Sequence, residues 1–452
     1  MPAEPTTSAM PSEPDLPDLP AMPSEPDLPA MPSEPDLPDP QPLPPQARIC
    51  CLDLDTFFVS VERLLDPSLV GKPVVVGAMP GQRGVVTAAS YEVRVFGVHS
   101  GMPIRDAVRR APHAVFVPGR HGTYTPYARR VRAVIDRFAP IVQTASIDEF
   151  FLDLRGCERL YRREGDRDDD ATIERVAHEL RDVIQTEIGL PASVGIGSSR
   201  TIAKVASGRA KPAGVCLVAA GRERAFLAPL PVRKLPGIGP VAEDHLNDAG
   251  VLTLGQLLDL PPGPSRNRFR GLRKRLQGIV DATGGSSVLR DRPAFLEHDP
   301  IGSDEGSISN ERTFRVDVGD RRGIEDQLRG LCERVSWRAR RRGVLARTIS
   351  LKLRYADFET LGRSRTIVAT DNDGRVYDCA RKLLAAVLDP KRPVRLLGIA
   401  LSNLEVADRQ LGLPFAGRDR ARVGAAVDAV RDRFGYDAIR LGVAGGRSDW
   451  IA

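Results

Sequence analysis

Two short apolar runs, about ninety residues apart, are each interrupted by acids. Asp53 follows Ile49-Cys50-Cys51-Leu52, and Asp148-Glu149 precedes Phe150-Phe151-Leu152. A carboxylate buried without a partner is costly, so acids at the ends of buried strands call for cations. Hard oxygen ligands suit magnesium, which is commonly held by one or two carboxylates plus substrate phosphates. Two such ions can activate a hydroxyl and stabilise a leaving phosphate. The chemistry these three acids predict is phosphoryl transfer.

The elements that must position them follow from local pattern. Arg48–Leu54 reads as a strand and Phe57–Leu65 as a helix, with further strands at Lys72–Gly77 and Gly84–Ala88. A helix at Tyr124–Phe138 precedes Ile141–Thr144 and Glu149–Leu154, a hairpin whose turn carries the acid pair. Helix Thr172–Ile188, strand Ala192–Gly197 and helix Arg200–Arg209 complete an α+β body rather than a regular βαβ array. Within Pro231–Leu258, Leu-Pro-Gly-Ile-Gly-Pro at 235–240 precedes an amphipathic helix. This is the turn of a helix-hairpin-helix, whose glycines, Gly237 and Gly239, let backbone N–H groups approach a phosphate. Six cations follow between Arg266 and Arg275, among them Arg273 and Lys274, and they suit contact with a nucleic-acid backbone. A polar linker over Arg290–Gly306 leads to strand Thr313–Val318, helix Arg321–Arg341, strands Thr348–Tyr355 and Ser364–Ala369, helix Arg375–Leu388 and strand Leu396–Leu401. That βαββαβ order makes a second α+β domain. Its first helix carries Arg334, Arg338, Arg340, Arg341 and Arg342, again fitting a nucleic-acid groove.

Charge supports the same partner. The 452 residues carry a formal +6, yet residues 1–47 hold nine acids and no Lys or Arg, leaving the remainder at +15. A body that basic expects a polyanion, with nucleic acid the default. Three copies of Met-Pro-Ser-Glu-Pro-Asp-Leu-Pro, beginning at Met10, Met22 and Met31, make residues 1–46 read as a disordered acidic tail. The six cysteines form no Cys-x-x-Cys pair and sit in apolar surroundings, which points to a reducing cytoplasm and gives no zinc site. No apolar run reaches the ~20 residues needed to span a bilayer, and no secretory signal is visible, so a cytoplasmic protein without membrane contact is expected.

Seven motifs then occur in order: Asp-Leu-Asp-Thr-Phe-Phe (53–58), Gly-Lys-Pro-Val-Val-Val-Gly (71–77), Ala-Ser-Tyr-Glu-Val-Arg-Val-Phe-Gly-Val (89–98), Gly-Met-Pro-Ile (101–104), Ser-Ile-Asp-Glu (146–149), Ala-Lys-Pro-Ala-Gly-Val (210–215) and Leu-Pro-Gly-Ile-Gly (235–239). Together they resemble a Y-family DNA polymerase, in particular the bacterial DinB or polymerase IV branch of actinobacterial type, over roughly residues 47–405. The resemblance implies a right hand: palm over 47–56 and 119–218, fingers over 57–118, and a helical thumb with the helix-hairpin-helix over 219–290. A linker at 291–306, a little finger at 307–405 and a C-terminal tail at 406–452 follow.

Carried onto this chain, the resemblance makes Asp53, Asp148 and Glu149 the metal-binding catalytic acids for two Mg2+ ions, with the Leu54 main-chain carbonyl as a further ligand. Asp55 is set apart from these metal acids. Tyr91, Arg94 and Lys211 match residues that hold the incoming triphosphate. Phe58 falls at the steric gate, where a ring excludes a 2′-OH. One departure is Ala88, where the family often has Thr. Gln410-Leu411-Gly412-Leu413-Pro414-Phe415 resembles the peptide by which bacterial polymerases dock on the sliding clamp. Beyond it Val423, Val427, Val430 and Phe434 predict an amphipathic helix. The implied activity is template-directed addition of dNTP to primer-template DNA by a monomer, of the translesion type, at low fidelity and without proofreading. Two other classes compete: a non-catalytic polymerase-like accessory protein that binds DNA in mutagenic repair, and a two-metal nuclease. The first would lose the three acids, and the second would need neither a steric gate nor triphosphate residues.

Overall fold

A computed structural model describes residues 48–281, 306–407 and 418–439. Its central sheet is built on β1 (Ile49–Leu54), which pairs antiparallel with a strand on each side. That position explains an apolar run on both faces: Ile49, Cys51 and Leu52 are fully buried and Cys50 nearly so. Thr56, in the left-handed region at φ 44, turns the chain into α1 (Phe57–Leu65). A small three-stranded sheet follows from β2 (Val74–Gly77), β3 (Val86–Ala89) and, beyond the short helices α2 (Tyr91–Arg94) and α3 (Ile104–Arg110), β4 (Val115–Pro118). Helix α4 (His121–Ile135) returns the chain to the central sheet, where β5 (Ile141–Thr144) and β6 (Glu149–Asp153) form the expected hairpin.

After α5 (Glu158–Tyr161), helix α6 (Asp169–Ile188) starts on Asp168, whose carboxylate accepts the Ala171 N–H at 2.8 Å, and stops at Gly189. It buries Ile173, Val176, Leu180 and Ile184 at helical spacing. Strand β7 (Ala192–Gly197), helix α7 (Arg200–Ala210) and strand β8 (Val215–Leu217) finish the body in the order β5-β6-β1-β7-β8. Helix α7 lies so close on β7 that a Cβ at Gly195 would stand 2.1 Å from the Ala203 carbonyl oxygen. Only glycine permits that approach, and α7 carries Lys204 of the site below, with Lys211 at its C-cap.

Five short helices follow: α8 (Glu223–Leu227), α9 (Pro240–Asp248), α10 (Leu254–Leu258), α11 (Pro264–Arg268) and α12 (Arg270–Val280). They pack round Leu235, Leu246, Leu254, Leu257 and Leu276. The last sheet comes from β9 (Ser307–Val318), α13 (Arg321–Arg341), β10 (Val344–Tyr355), β11 (Thr360–Thr370), α14 (Asp373–Ala385) and β12 (Val394–Val406), in the order β11-β10-β12-β9. The βαββαβ reading holds, but the strands run longer than their apolar stretches. Strand β9 begins at Ser307 rather than Thr313, because charged and polar residues on its exposed face hide the pattern. The linker at 291–305 lies outside the described residues.

Helix α15 (Arg418–Phe434) exists as expected, but its packing differs. Val427 is buried, whereas Phe434 is 67% exposed. The seam is largely ionic. Arg431, with no exposed side-chain surface, donates to Glu333 at 2.8 Å, and Asp428 accepts from Arg340 at 2.6 Å. Some of the α13 cations expected at a nucleic-acid groove have partners within the chain. Arg340 is held between Asp373 and Asp428, while Arg341 lies over Trp337 and Arg334 over Tyr436. Spacing alone cannot tell a cation committed to a neighbouring carboxylate from one offered to DNA. Among the described residues no helix is long and apolar enough to cross a membrane.

Candidate active site

The three acids lie at the neighbouring ends of β1 and β6 in the central sheet. Asp53 sits opposite Glu149 in the β1–β6 ladder, and the Leu54 N–H donates to the Asp148 carbonyl at 2.9 Å, which ties the acid-bearing turn to β1. Asp148 itself accepts from the Ser146 hydroxyl. Burial pushes the Asp53 carboxyl above the usual range against the pull of Lys211, and the nearby Asp148 charge adds to the rise.

Two lysines answer this charge. The Lys211 ammonium donates to Asp53 and lies 3.5 Å from Asp55, while Lys204, on α7, donates to Glu149. Burial opposes the Lys204 charge, yet the Glu149 contact outweighs it and lifts its pKa. Lys211 belonged to the expected set and Lys204, seven residues before it, did not. Among the described residues no three acids, histidines or cysteines stand gathered as a ready cage. The donor set nonetheless fits a hard divalent cation: carboxylates at neighbouring strand ends, with Asp53 and Glu149 each already drawing an ammonium.

Phe58, on α1, stacks on Tyr124 of α4 with ring centroids 4.2 Å apart. Behind it the Tyr124 hydroxyl donates to Glu62 at 2.8 Å, and Arg120 closes the same buried carboxylate. Neither Tyr124 nor Glu62 was singled out in the sequence, because an acid and a phenol 62 residues apart carry no local signal. Tyr91 opens α2, its ring lies under Arg94 at 4.9 Å, and Arg94 also donates to the Ala89 carbonyl. Ala88 is buried in the core opposite Val76. Thr87 is partly exposed, as alternate facing requires.

Asp55, one residue beyond β1, shares the Lys211 ammonium with Asp53 and is a hub of hydrogen bonds. It is 1% exposed and accepts from the Tyr91 hydroxyl, the Ser193 hydroxyl and the Ala213 N–H. Gly237 takes φ +92 at the turn before α9, and a Cβ there would stand 2.8 Å from the Arg275 guanidinium. Gly239 caps α9, and Lys274 is exposed on α12 beside Arg273. Arg338 donates to the Ser309 carbonyl at 2.8 Å. The 410–415 peptide lies outside the described residues.

Known proteins align with this architecture. The impB/mucB/samB family matches residues 52–208, its C-terminal domain 305–413, and the helix-hairpin-helix motif of the same family 221–251. The chain is 36% identical over 397 residues to DNA polymerase IV of Dehalococcoides mccartyi (strain CBDB1), covering 87% of this chain and 97% of the relative. It is 40% identical over 373 residues to DNA polymerase IV of Streptomyces coelicolor, covering 82% and 74%. Among solved structures, a Y-family polymerase chimera of Dbh and Dpo4 segments superposes with a TM-score of 0.65 at 23% identity, over 79% of this chain and 99% of that one. An insertion ternary complex of Dbh DNA polymerase superposes at 0.54, also at 23% identity and with the same coverage, which shows the shared fold. The chain therefore belongs to the impB/mucB/samB family and, within it, to the DinB-type Y-family DNA polymerases.

Proposed function

We propose that this protein is a translesion DNA polymerase that adds dNMP from a dNTP to a primer 3′-OH, releasing pyrophosphate, at low fidelity and without proofreading. The observation that carries the reading is the pairing of Asp53 opposite Glu149, with Asp148 tied to β1 and two ammonium groups drawn onto the acids. Asp53, Asp148, Glu149 and the Leu54 carbonyl would hold two Mg2+ ions, which when bound activate the 3′-OH and neutralise the departing pyrophosphate.

The chain's own residues supply the rest. Lys211, Arg94 and Tyr91 offer donors to the triphosphate. The Phe58 ring, held by its stack on Tyr124, occupies the volume a 2′-OH would need. In this reading 47–56 and 119–218 form the palm, 57–118 the fingers, 219–290 the thumb and 307–405 the little finger, with 291–306 as linker and 406–452 as tail. Backbone N–H groups at Gly237 and Gly239, with Arg273, Lys274 and Arg338, serve the primer-template backbone. Gln410, Leu411, Leu413 and Phe415 serve the sliding clamp, and the enzyme works as a cytoplasmic monomer. Pyrophosphate release from dNTP, dependent on primed template and divalent ion, tests the reading. Nucleotide hydrolysis that ignores the template would reject it.

A further inference from the structure

One buried carboxylate gathers the side chains that would hold the nucleotide, and it is not among the metal acids. Asp55 is 1% exposed, one residue beyond β1. One of its oxygens accepts from the Tyr91 hydroxyl at 3.1 Å and stands 3.5 Å from the Lys211 ammonium. The other accepts from the Ser193 hydroxyl at 2.8 Å and from the Ala213 N–H at 2.7 Å. These donors come from α2, β7 and the turn that leaves α7. Ala213 takes φ 49, a left-handed conformation unusual for alanine, and its N–H is fixed on Asp55. The turn beginning at Lys211 is thus held from beneath by one side chain.

Proton supply adds a second argument. A phenol has a single hydrogen to give. While Tyr91 gives it to Asp55, it presents only lone pairs to an anionic phosphate, and Lys211 is likewise engaged with Asp53. We propose that Asp55 is a positioning residue of the nucleotide site. It fixes Tyr91 and the Lys211–Ala213 turn, and a bound triphosphate draws the Tyr91 and Lys211 donors away while Ser193 and Ala213 keep Asp55 in place. The proposal rests on the reading of Tyr91 and Lys211 as triphosphate ligands.

The test is single-nucleotide insertion on a primed template by the full chain and by Asp55→Asn, Tyr91→Phe and the double variant. Asp55→Asn should raise KM for dNTP about tenfold or more while kcat and primer-template affinity stay within about threefold. The double variant should be no worse than the weaker single one, because both changes cut the same link. A KM within about twofold of the parent, or effects that multiply in the double variant, overturns the proposal. If Asp55→Asn does not fold by circular dichroism, Ser193→Ala reads the same carboxylate. A KM rise of about threefold then supports the proposal, and an unchanged KM refutes it. A parent that binds primed DNA yet inserts nothing would sink the polymerase reading and this proposal with it, a result distinct from insertion with an unmoved KM.

Discussion

Lys204→Met isolates the cation that the sequence did not disclose. In the protein as it stands, Lys204 donates to Glu149, whose side chain is 15% exposed, and Lys204 is itself 38% exposed. A hydrogen bond between charged groups contributes about 1.5–3 kcal/mol when sheltered, and exposed pairs far less, so this half-open contact is worth about 1 kcal/mol. For domains of this size that corresponds to roughly 2–4 °C in Tm. The metal-free variant should therefore melt a few degrees lower. Removing a positive charge beside the acids should at the same time tighten divalent binding by about tenfold, an electrostatic change of ~1.4 kcal/mol. Differential scanning calorimetry with and without manganese, together with free Mn2+ counted by electron paramagnetic resonance, reads both quantities without any turnover. A variant that melts like the parent and binds Mn2+ no more tightly would show that Lys204 neither stabilises Glu149 nor competes with a metal ion.

Three further outcomes are expected. Phe58→Ala should raise ribonucleotide insertion at least about tenfold in single-nucleotide assays, and Tyr124→Ala should raise it less, by loosening the stacked ring; unchanged discrimination in both rejects the gate. Arg431→Met removes the buried ion pair with Glu333 and should destabilise the last domain by about 3 kcal/mol in urea melts, whereas an unchanged midpoint would mean that α15 does not dock as described. The Arg83 guanidinium holds the Asp317 carboxyl below the ordinary aspartate value of 3.8, so the stability it contributes is complete above that value and is lost as pH falls through the lower folded one. Between pH 7 and about pH 3, Asp317→Asn should accordingly lose less Tm than the parent, and equal loss would show the pair to be inconsequential.

The parts legible in the sequence were those whose signal is local. Phe57–Leu65, Ile141–Thr144, Ala192–Gly197 and Arg321–Arg341 fall where apolar spacing places them, and the acids lie at the strand ends as their interruption of apolar runs implies. What escaped depends on contacts between distant segments. Asp55 stands two residues from Asp53 in the sequence, but its partners Ser193 and Ala213 lie about 140 and 160 residues away, so the hub was invisible. The Glu62–Tyr124–Arg120 network behind Phe58 was hidden for the same reason. The partners of Arg340 and Arg341 escaped because composition records charge but not the carboxylates of Asp373, Asp428 and Asp432 that face them. In α15 the period of Val423, Val427, Val430 and Phe434 suggested an apolar seam, and the structure instead buries Val427 beside an Arg431–Glu333 pair.

The most direct measurement is primer extension on a defined template with four dNTPs and magnesium, comparing the intact protein with Asp148→Ala while primer-template binding is followed by anisotropy. Extension by the intact protein alone, with both proteins binding the DNA, is the predicted result. Extension by neither, with DNA still bound, would contradict the account and leave a non-catalytic DNA-binding protein in its place.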